Sequence, residues 1–368
     1  MTGLYLSRLE LSHFRSHKHA TLEADGRPVV IFGANGAGKT NILEAISLTS
    51  PGRGLRRAKA EELARRPEAL GWKFKGTLHS LDQTHEIETS ADAAGKRAVV
   101  LNDKPVTQTA LGQVVRMVWL IPSMDRLWLE GAEVRRRFLD RLTLAFEPLH
   151  AEFSVTYEKS MRERNRLLKD MVRDPAWYTA LEDRMAQAAV EIAAARARTV
   201  VRLQTSMETA DTLFPRAILS VEDPGDTPNL QEIDSLRAAF AEGRPTDMRA
   251  GRTLIGPHRS DFQAIYAAKN VPARQCSTGE QKALLLAIVL ASARALSADF
   301  GSPPLMLLDE VAAHLDADRR AALYDEICAL DAQAWMTGTG AELFEELGQR
   351  AQRFEVQEVD GISQIDQL

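Results

Sequence analysis

Apolar and polar residues alternate along the first part of the chain, which predicts a region rich in strands. The segment from Leu4 to Leu11 alternates as a half-buried strand does, and apolar runs at residues 29–32 and 116–121 predict buried strands. Residues 72–78 and 98–101 predict two further strands, and the Asn102–Asp103 pair predicts a turn.

A helical pattern replaces this alternation between residues 133 and 214. It is interrupted at Asp174–Pro175, and residues 180–207 consist mainly of Ala, Arg, Glu and Leu, which favour helices. Residues 222–251 contain three prolines and predict a loop-rich return, after which alternation resumes at 262–266. We therefore predict an α/β protein whose head is built from residues 1–122 and 251–368, with a helical arm domain inserted at residues 123–250.

A glycine-rich segment, Gly-Ala-Asn-Gly-Ala-Gly-Lys-Thr, follows the predicted strand at residues 29–32 and precedes a helical pattern. The backbone N–H groups of such a loop and the N-terminus of the next helix both favour phosphate groups. Lys39 is predicted to reach the β- and γ-phosphates of ATP, and the Thr40 hydroxyl is predicted to bind Mg²⁺. The predicted nucleotide-binding residues are Gly33, Ala34, Asn35, Gly36, Ala37, Gly38, Lys39, Thr40 and Asn41.

An acidic pair ends the apolar run Leu-Met-Leu-Leu near the other end of the chain. Asp309 is predicted to bind the Mg²⁺ directly or through a water molecule. Glu310 is predicted to orient or deprotonate the attacking water, which makes Glu310 and Lys39 the predicted catalytic residues. Such pairs are common in surface turns, so the assignment depends on the preceding apolar strand and on the phosphate loop.

A third segment, Ser-Thr-Gly-Glu-Gln-Lys at residues 277–282, precedes the apolar helical run 283–290. Two interpretations remain open for it. Ser277 and Glu280 have the spacing of a capping box that closes an ordinary helix N-terminus. The same N-terminus also offers free N–H groups and a positive dipole end to an anion.

Composition indicates a soluble protein of a reducing compartment. The chain is 45% hydrophobic and 26% charged, and its two cysteines provide no disulfide framework. The N-terminus lacks an apolar signal core, and the best candidate for a membrane span, residues 283–293, is too short to cross a bilayer. We therefore expect a cytoplasmic location and no membrane partner.

The net charge of −5 means that any nucleic-acid contact must come from local basic patches. One candidate is the loop at residues 52–59, which contains four cations and no acids. The other is a series of cations on the arm at helical spacing, although such a series is often only a solvated helix face. The DNA-binding candidates are Arg53, Arg56, Arg57, Lys59, Arg162, Arg166, Lys169 and Arg173.

The order of these motifs resembles that of ABC-type ATPases. In that superfamily the signature segment contacts the γ-phosphate held by a second subunit, so that ATP joins two heads in a head-to-tail dimer. The residues that match the signature are Ser277, Thr278, Gly279 and Glu280. His314 and Asp316 lie in a segment that resembles the D-loop of the same interface.

The resemblance extends to the RecF family of bacterial recombination mediator ATPases. It includes the opening Leu-Glu-Leu-Ser-His-Phe-Arg, the Arg-Arg-Arg-Phe-Leu-Asp segment at 135–140 and Gly-Pro-His-Arg at 256–259, and it spans nearly the whole chain. It implies an ABC-type P-loop ATPase head of the SMC-like branch, ATP-dependent homodimerisation and weak, DNA-stimulated ATP hydrolysis. It also implies binding to double-stranded DNA at gap junctions, together with RecR and RecO, to promote loading of the recombinase RecA.

Two other classes share the motifs. A transporter ATPase subunit would place its signature much closer to the phosphate loop, whereas here an arm fills the interval. An SMC-like structural clamp that binds ATP without turnover has the same residues and stays open as an alternative. The Gly-Pro-His-Arg turn also has two open interpretations, either a structural turn or a part of the nucleotide or dimer interface.

Overall fold

A computed structural model of the chain describes residues 3–80, 83–225 and 228–368. The strands are β1 (Tyr5–Phe14), β2 (His17–Glu23), β3 (Val29–Phe32), β4 (Trp72–Ser80), β5 (Gln83–Ala91), β6 (Arg97–Leu101), β7 (Lys104–Pro105), β8 (Met117–Leu120), β9 (Ala217–Glu222), β10 (Asp261–Tyr266), β11 (Val271–Pro272), β12 (Leu305–Leu308), β13 (Ala334–Gly338), β14 (Gln352–Val359) and β15 (Ile362–Gln367). The α-helices are α1 (Lys39–Ser47), α2 (Ala132–Phe146), α3 (His150–Lys169), α4 (Ala176–Thr209), α5 (Ile233–Ala250), α6 (Thr278–Phe300) and α7 (Ala317–Ala329).

The chain divides into two compact units. The first consists of the residues up to Asp125 together with Thr209–Pro215 and Leu285–Leu368, and the second consists of Arg126–Glu208 and Arg216–Leu284. The division therefore places residues 251–284, including the signature segment, in the second unit rather than with the head. The predicted strands at 4–11, 29–32, 72–78, 98–101 and 116–121 are confirmed, as is the helical region interrupted near Pro175. A second interruption at residues 147–149, between α2 and α3, was not predicted.

Two six-stranded sheets form the first unit. One has the order β2-β1-β4-β5-β6-β7 and is antiparallel. The other has the order β15-β14-β3-β13-β12-β8, in which all strands from β14 to β8 are parallel. Its strands β3, β12 and β8 are buried along their whole length, as expected for parallel strands covered on both faces. The carboxyl ends of β3, β13 and β12 consequently meet along one edge.

The second unit contains the small antiparallel sheet β11-β10-β9 and the helices α2 to α5. Helix α2 packs against β10, and α3 packs against both α2 and α5. Its apolar core includes Met185 and Ile192 of α4 and Leu236 and Phe240 of α5.

Helix α5 corrects the prediction of a loop-rich return at residues 222–251. It spans 18 residues and contains Pro245, which removes one helical hydrogen bond. Leu236 and Phe240 are fully buried, and burying each contributes about 1.5–3 kcal/mol, which offsets the cost of the proline. The left-handed Gly251 then ends the helix.

Arg164 is fully buried in the second unit and joins three helices. Its guanidinium donates to Glu182 of α4 at 3.0 Å, to Asp247 of α5 at 2.7 Å and to the Phe240 carbonyl at 2.9 Å. Arg244 supplies a second cation to Glu182 at 2.5 Å. The buried Arg164 and the partly buried Arg244 therefore balance two buried carboxylates, a network that the sequence analysis did not anticipate.

We expect the substitution Arg164→Met to destabilise the second unit by about 3–5 kcal/mol, because it leaves the Asp247 carboxylate buried without its cation. Urea denaturation followed by tryptophan fluorescence and helical signal measures the shift. The matched control is Arg162→Met, which removes an exposed cation 3.6 Å from Glu158 and should change stability by less than about 1 kcal/mol. Equal effects of the two substitutions would contradict the assignment.

Helix α6 is longer than the apolar run predicted as too short to cross a membrane. Within the described ranges, it is the one helix that is long and apolar enough to do so by length and composition, and 72% of its most apolar window is buried. A buried core helix meets the same criteria, so this is weak evidence for a membrane span.

Candidate nucleotide site

The phosphate-binding loop connects β3 to α1 at the carboxyl edge of the parallel sheet. Its conformation requires glycine at two positions. Gly33 has a φ of 148°, and a Cβ there would collide with the Val356 carbonyl oxygen. Gly38 has a φ of 107° and caps α1, and a Cβ there would lie 2.6 Å from Ser16 Oγ and also against Ser363 Oγ. At these two positions the loop lies so close to neighbouring residues, including those of the C-terminal strands, that there is no room for a side chain.

Lys39 begins α1 and is only 4% exposed. Its ammonium group donates to the carbonyl oxygens of Gly33 at 2.7 Å and Ala34 at 2.8 Å. Burial lowers the pKa of Lys39, while the negative charges of Glu310 and Asp309 oppose this shift. The ammonium is thus held over the loop by two neutral carbonyl acceptors. Phosphate oxygens can take their place, because they are charged and form stronger hydrogen bonds with the ammonium.

Thr40 in the first turn of α1, Asp309 after β12 and Thr337 near the end of β13 converge at the carboxyl edge of the parallel sheet. The hydroxyl groups of Thr40 and Thr337 each donate to Oδ1 of Asp309 at 2.7 Å. These three residues lie far apart in the sequence. The fold brings them together because β13, which carries Thr337, lies between β3 and β12 in the sheet. Thr337 was missed from the sequence. The sequence feature that points to Thr337 is a hydroxyl residue near the end of the next buried strand after the acidic pair.

Glu310 has a left-handed backbone, with a φ of 53°. This conformation is uncommon for a residue other than glycine, and here a hydrogen bond from Glu310 N to Thr337 Oγ1 at 2.9 Å holds it. The single hydroxyl of Thr337 therefore accepts from the Glu310 backbone and donates to Asp309. It fixes the two acidic residues relative to each other.

We expect Thr337→Val to lower ATP turnover about 10-fold or more, since it removes both hydrogen bonds while conserving volume. The matched variant Thr337→Ser keeps the hydroxyl and should retain most turnover. A steady-state assay that separates kcat from KM tests this, because Thr337 acts on Glu310 and Asp309 rather than on the nucleotide. Equal turnover in the valine and serine variants would contradict a positioning role.

Thr40 Oγ1 and Asp309 Oδ1 also fit a magnesium ion. Both are hard oxygen donors, and they lie 2.7 Å apart with their remaining coordination open to a phosphate-bound metal. Mg²⁺ is commonly held in this way, by one or two protein oxygens together with substrate phosphates and water.

A polar network supports the loop from behind. Ser363 Oγ donates to the Ala37 carbonyl at 2.5 Å, and Asn41 Nδ2 donates to Ser16 Oγ at 2.8 Å. Arg15 binds the fully buried Glu44 of α1 through two hydrogen bonds of 2.9 and 2.8 Å. These contacts fix α1 and hence the direction of its N-terminus.

The signature segment forms the N-terminus of α6 in the second unit. Ser277 N and Oγ both donate to Glu280 Oε2, at 2.8 and 2.9 Å, so the predicted capping box is present. Lys269 forms an ion pair with Glu280 and, with these hydrogen bonds, lowers the pKa of Glu280 to about 2. Ser277, Thr278 and Gly279 are exposed, and a Cβ on Gly279 would meet no atom within 4 Å. The capped end therefore presents small residues to the solvent.

The segment that resembles a D-loop lies in the first unit. His314 ends the 3₁₀ turn Ala312–His314, and its side chain lies outside the described part of the structure. Asp316 is exposed and caps α7 by accepting from Arg319 N at 2.8 Å.

The DNA-binding candidates divide into paired and unpaired cations. In the loop at 52–59, Arg56 donates to Asn41 at 3.0 Å, and Lys59 lies 4.0 Å from Glu61. On the arm, Arg162 and Arg166 each face a carboxylate one helical turn away, at 3.6 and 3.9 Å. Of these candidates, the ones that are exposed and have no ion pair with a described residue are Arg53, Arg57, Lys169 and Arg173.

Arg173 corrects the predicted arm stripe. Helix α3 ends at Lys169 with Asp170 as its cap, so Arg173 lies in the loop before α4 rather than on the helical face. The helical spacing from 162 to 173 therefore does not produce one continuous row of cations.

A glycine loop between a buried strand and a helix, with an acidic strand end two strands away in the same parallel sheet, defines the P-loop nucleotide-binding class. The family model described as RecF/RecN/SMC N terminal domain matches residues 5–361. Curated relatives called DNA replication and repair protein RecF include one from Caulobacter sp. (strain K31), 45% identical with both chains fully covered. Another, from Caulobacter vibrioides, is 47% identical over 95% of this chain and 96% of its own. The chain belongs to the RecF family.

Solved structures agree on the fold. One described as the recombination mediator protein RecF with ATP in the RecFOR pathway matches with a TM-score of 0.84 at 24% identity, covering 100% of this chain and 98% of that chain. An Smc head domain from Pyrococcus furiosus matches with a TM-score of 0.57 at 19% identity, covering 99% and 96%. The predicted fold class, an ABC-type P-loop head with an inserted helical arm, and the resemblance to RecF are confirmed.

Proposed function

We propose that this protein is an ATP-dependent DNA-binding protein of recombinational repair. ATP bound at Lys39 and Thr40 of one subunit recruits the signature segment of a second, forming a head-to-tail homodimer on double-stranded DNA near single-strand gaps. The dimer acts in the cytoplasm with proteins of the RecR and RecO type to help load the recombinase. Weak, DNA-stimulated hydrolysis opens the dimer and resets it.

One observation carries this proposal. The signature residues Ser277, Thr278 and Gly279 are exposed at a capped helix N-terminus, in a chain that also has a complete phosphate loop and acidic strand end. A helix N-terminus with exposed N–H groups is suited to a γ-phosphate. The names of the relatives, which describe DNA replication and repair proteins, support the choice of DNA as the partner.

The chemistry assigned to the site follows from its geometry. The Lys39 ammonium exchanges its two carbonyl acceptors for phosphate oxygens and so stabilises the charge that develops on them. Glu310, held by Thr337, orients and deprotonates the attacking water. Thr40 and Asp309 would hold a Mg²⁺ ion, which would supply neutralisation of phosphate charge.

The test is sedimentation of the purified protein with ATP, with and without gapped duplex DNA, with ATP turnover measured in parallel. We expect a monomer that dimerises on ATP and hydrolyses ATP faster when duplex is present. A protein that remains monomeric with ATP and does not respond to DNA would overturn the proposed function while leaving the fold assignment intact.

A further inference from the structure

The Gly-Pro-His-Arg turn at residues 256–259 precedes β10 in the second unit, and the structure determines what its histidine does. His258 Nδ1 is 2.8 Å from the Tyr157 hydroxyl, and Nε2 is 3.1 Å from the Thr253 carbonyl oxygen. Burial lowers the pKa of His258 to about 4, so the ring is neutral near pH 7. Arg196 also donates to the Pro257 carbonyl at 2.6 Å. His258 and Pro257 therefore hold the turn in place.

Arg259 is the group that this rigid turn presents. Its backbone N–H is bound to the Gly256 carbonyl at 2.9 Å, while its side chain is exposed and makes no hydrogen bond or ion pair within the described ranges. Arg136 of α2 lies at the same turn, because it donates to the carbonyl of the next residue, Ser260, at 2.6 Å. Arg136 likewise forms no ion pair with a described carboxylate. Two guanidinium groups are thus brought to this turn, and neither forms an ion pair with a carboxylate in the described part of the chain.

The neighbouring carboxylates are already engaged. Arg135 binds Asp261 through two hydrogen bonds of 2.8 and 2.7 Å, and Arg196 binds Asp140 through two of 2.7 and 3.0 Å. Arg135, Arg136, Arg196 and Arg259 lie at this turn together with the carboxylates of Asp140, Asp261 and Asp223, the last of which accepts from the Ser260 hydroxyl, and Glu222 is paired with Asp261 across the strands. Burial and then the charge of Arg196 lower the pKa of Arg136, the charges of Asp140 and Asp261 oppose this shift, and the charge of Arg259 adds to it.

We propose that Arg259 and Arg136 together bind a phosphate of the duplex DNA backbone. Guanidinium groups suit this ligand because their planar donors pair with phosphate oxygens in a bidentate manner. The inference rests on the proposed function and adds a DNA contact beyond the basic loop at residues 52–59 and the cations at residues 162–173.

The site is separate from the nucleotide bound at the signature. Lys269, which forms the ion pair with Glu280 of the signature, follows the far end of β10. The five residue steps from Asp261 to Tyr266 span roughly 16 Å of strand. Arg259 and the signature therefore lie at opposite ends of β10, beyond the reach of one arginine side chain, and a γ-phosphate at the signature does not occupy this site.

The test measures the affinity for a labelled duplex with ATP present, over a series of salt concentrations. We expect Arg259→Gln to weaken binding several-fold and to reduce the slope of log affinity against log salt by about 0.9, the value for one lost phosphate contact. Arg259→Lys keeps the charge and should keep the slope. ATP turnover without DNA should be unchanged in both variants.

The matched control is Arg237→Gln, which removes the same charge from an exposed arginine of the same unit that is already paired with Asp183 and Asp234. An unchanged slope in Arg259→Gln would overturn the inference. An equal reduction in Arg237→Gln would also overturn it, because the effect would then reflect net charge alone. If the unaltered protein binds no duplex at all, the proposed function fails and the inference fails with it.

Discussion

Replacing Glu310 with glutamine is expected to lower ATP turnover by about two to three orders of magnitude while leaving ATP affinity nearly unchanged. Glutamine keeps the size and shape of the side chain but cannot take a proton from water, and a general base contributes on the order of 10²–10⁴ in rate. The backbone should tolerate the change, because the left-handed conformation depends on the bond from Glu310 N to Thr337 and not on the carboxylate.

The same variant distinguishes two kinds of behaviour. If ATP closes the dimer and hydrolysis opens it, Glu310→Gln should accumulate as an ATP-bound dimer, with a lifetime longer than that of the unaltered protein by sedimentation and single-turnover assays. Glu345→Gln, which removes the same charge from an exposed glutamate of the same unit, is the control and should leave both measurements unaltered. Unchanged turnover and dimer lifetime in Glu310→Gln would show that Glu310 is not the base and would favour a structural clamp.

Replacing Lys39 with methionine is expected to weaken ATP binding about 10- to 100-fold and to abolish ATP-dependent dimerisation. The ammonium supplies charge-assisted bonds to phosphate, each of which contributes about 1.5–3 kcal/mol. Methionine fills a similar volume, and because burial already disfavours the charged lysine, the fold should lose little stability. Equilibrium binding of a fluorescent ATP analogue measures the affinity.

The control for this prediction is Lys104→Met, which removes an exposed lysine from β7. It should leave ATP affinity and dimerisation intact. If Lys39→Met bound ATP as tightly as the control, the ammonium would not contact the phosphates, and the assignment of the loop would have to be revised.

Much of the fold was predictable because its strands and helices follow from hydrophobic and polar patterns within short segments. The alternation in β1 and the apolar run of β3 each correspond to one strand, and the break at Pro175 separates α3 from α4. The return segment was mispredicted because its prolines suggested loop, whereas burial of Leu236 and Phe240 stabilises a helix there. Arg173 was misplaced because helical spacing alone does not show where a helix ends.

The candidate site was likewise predictable only in part. The predicted phosphate loop, residues 33–41, consists of consecutive residues and the start of one helix. Its local sequence is therefore enough to predict it. Asp309 and Glu310 could be predicted from an apolar run that ends in acids. The contacts of Thr337 with Asp309 and Glu310 could not be predicted, since nothing in a linear sequence indicates that β13 lies between β3 and β12.

The sequence by itself determined the family, the phosphate loop and the acidic strand end, because each depends on neighbours along the chain. Only the tertiary structure decided that Thr337 links Asp309 to Glu310, that Arg164 is buried among carboxylates, and that Arg259 lies at the same turn as Arg136 and pairs with no carboxylate of the described ranges. Those facts depend on which strands and helices lie side by side. Packing free energy summed over the whole chain sets that arrangement, and no short segment encodes it.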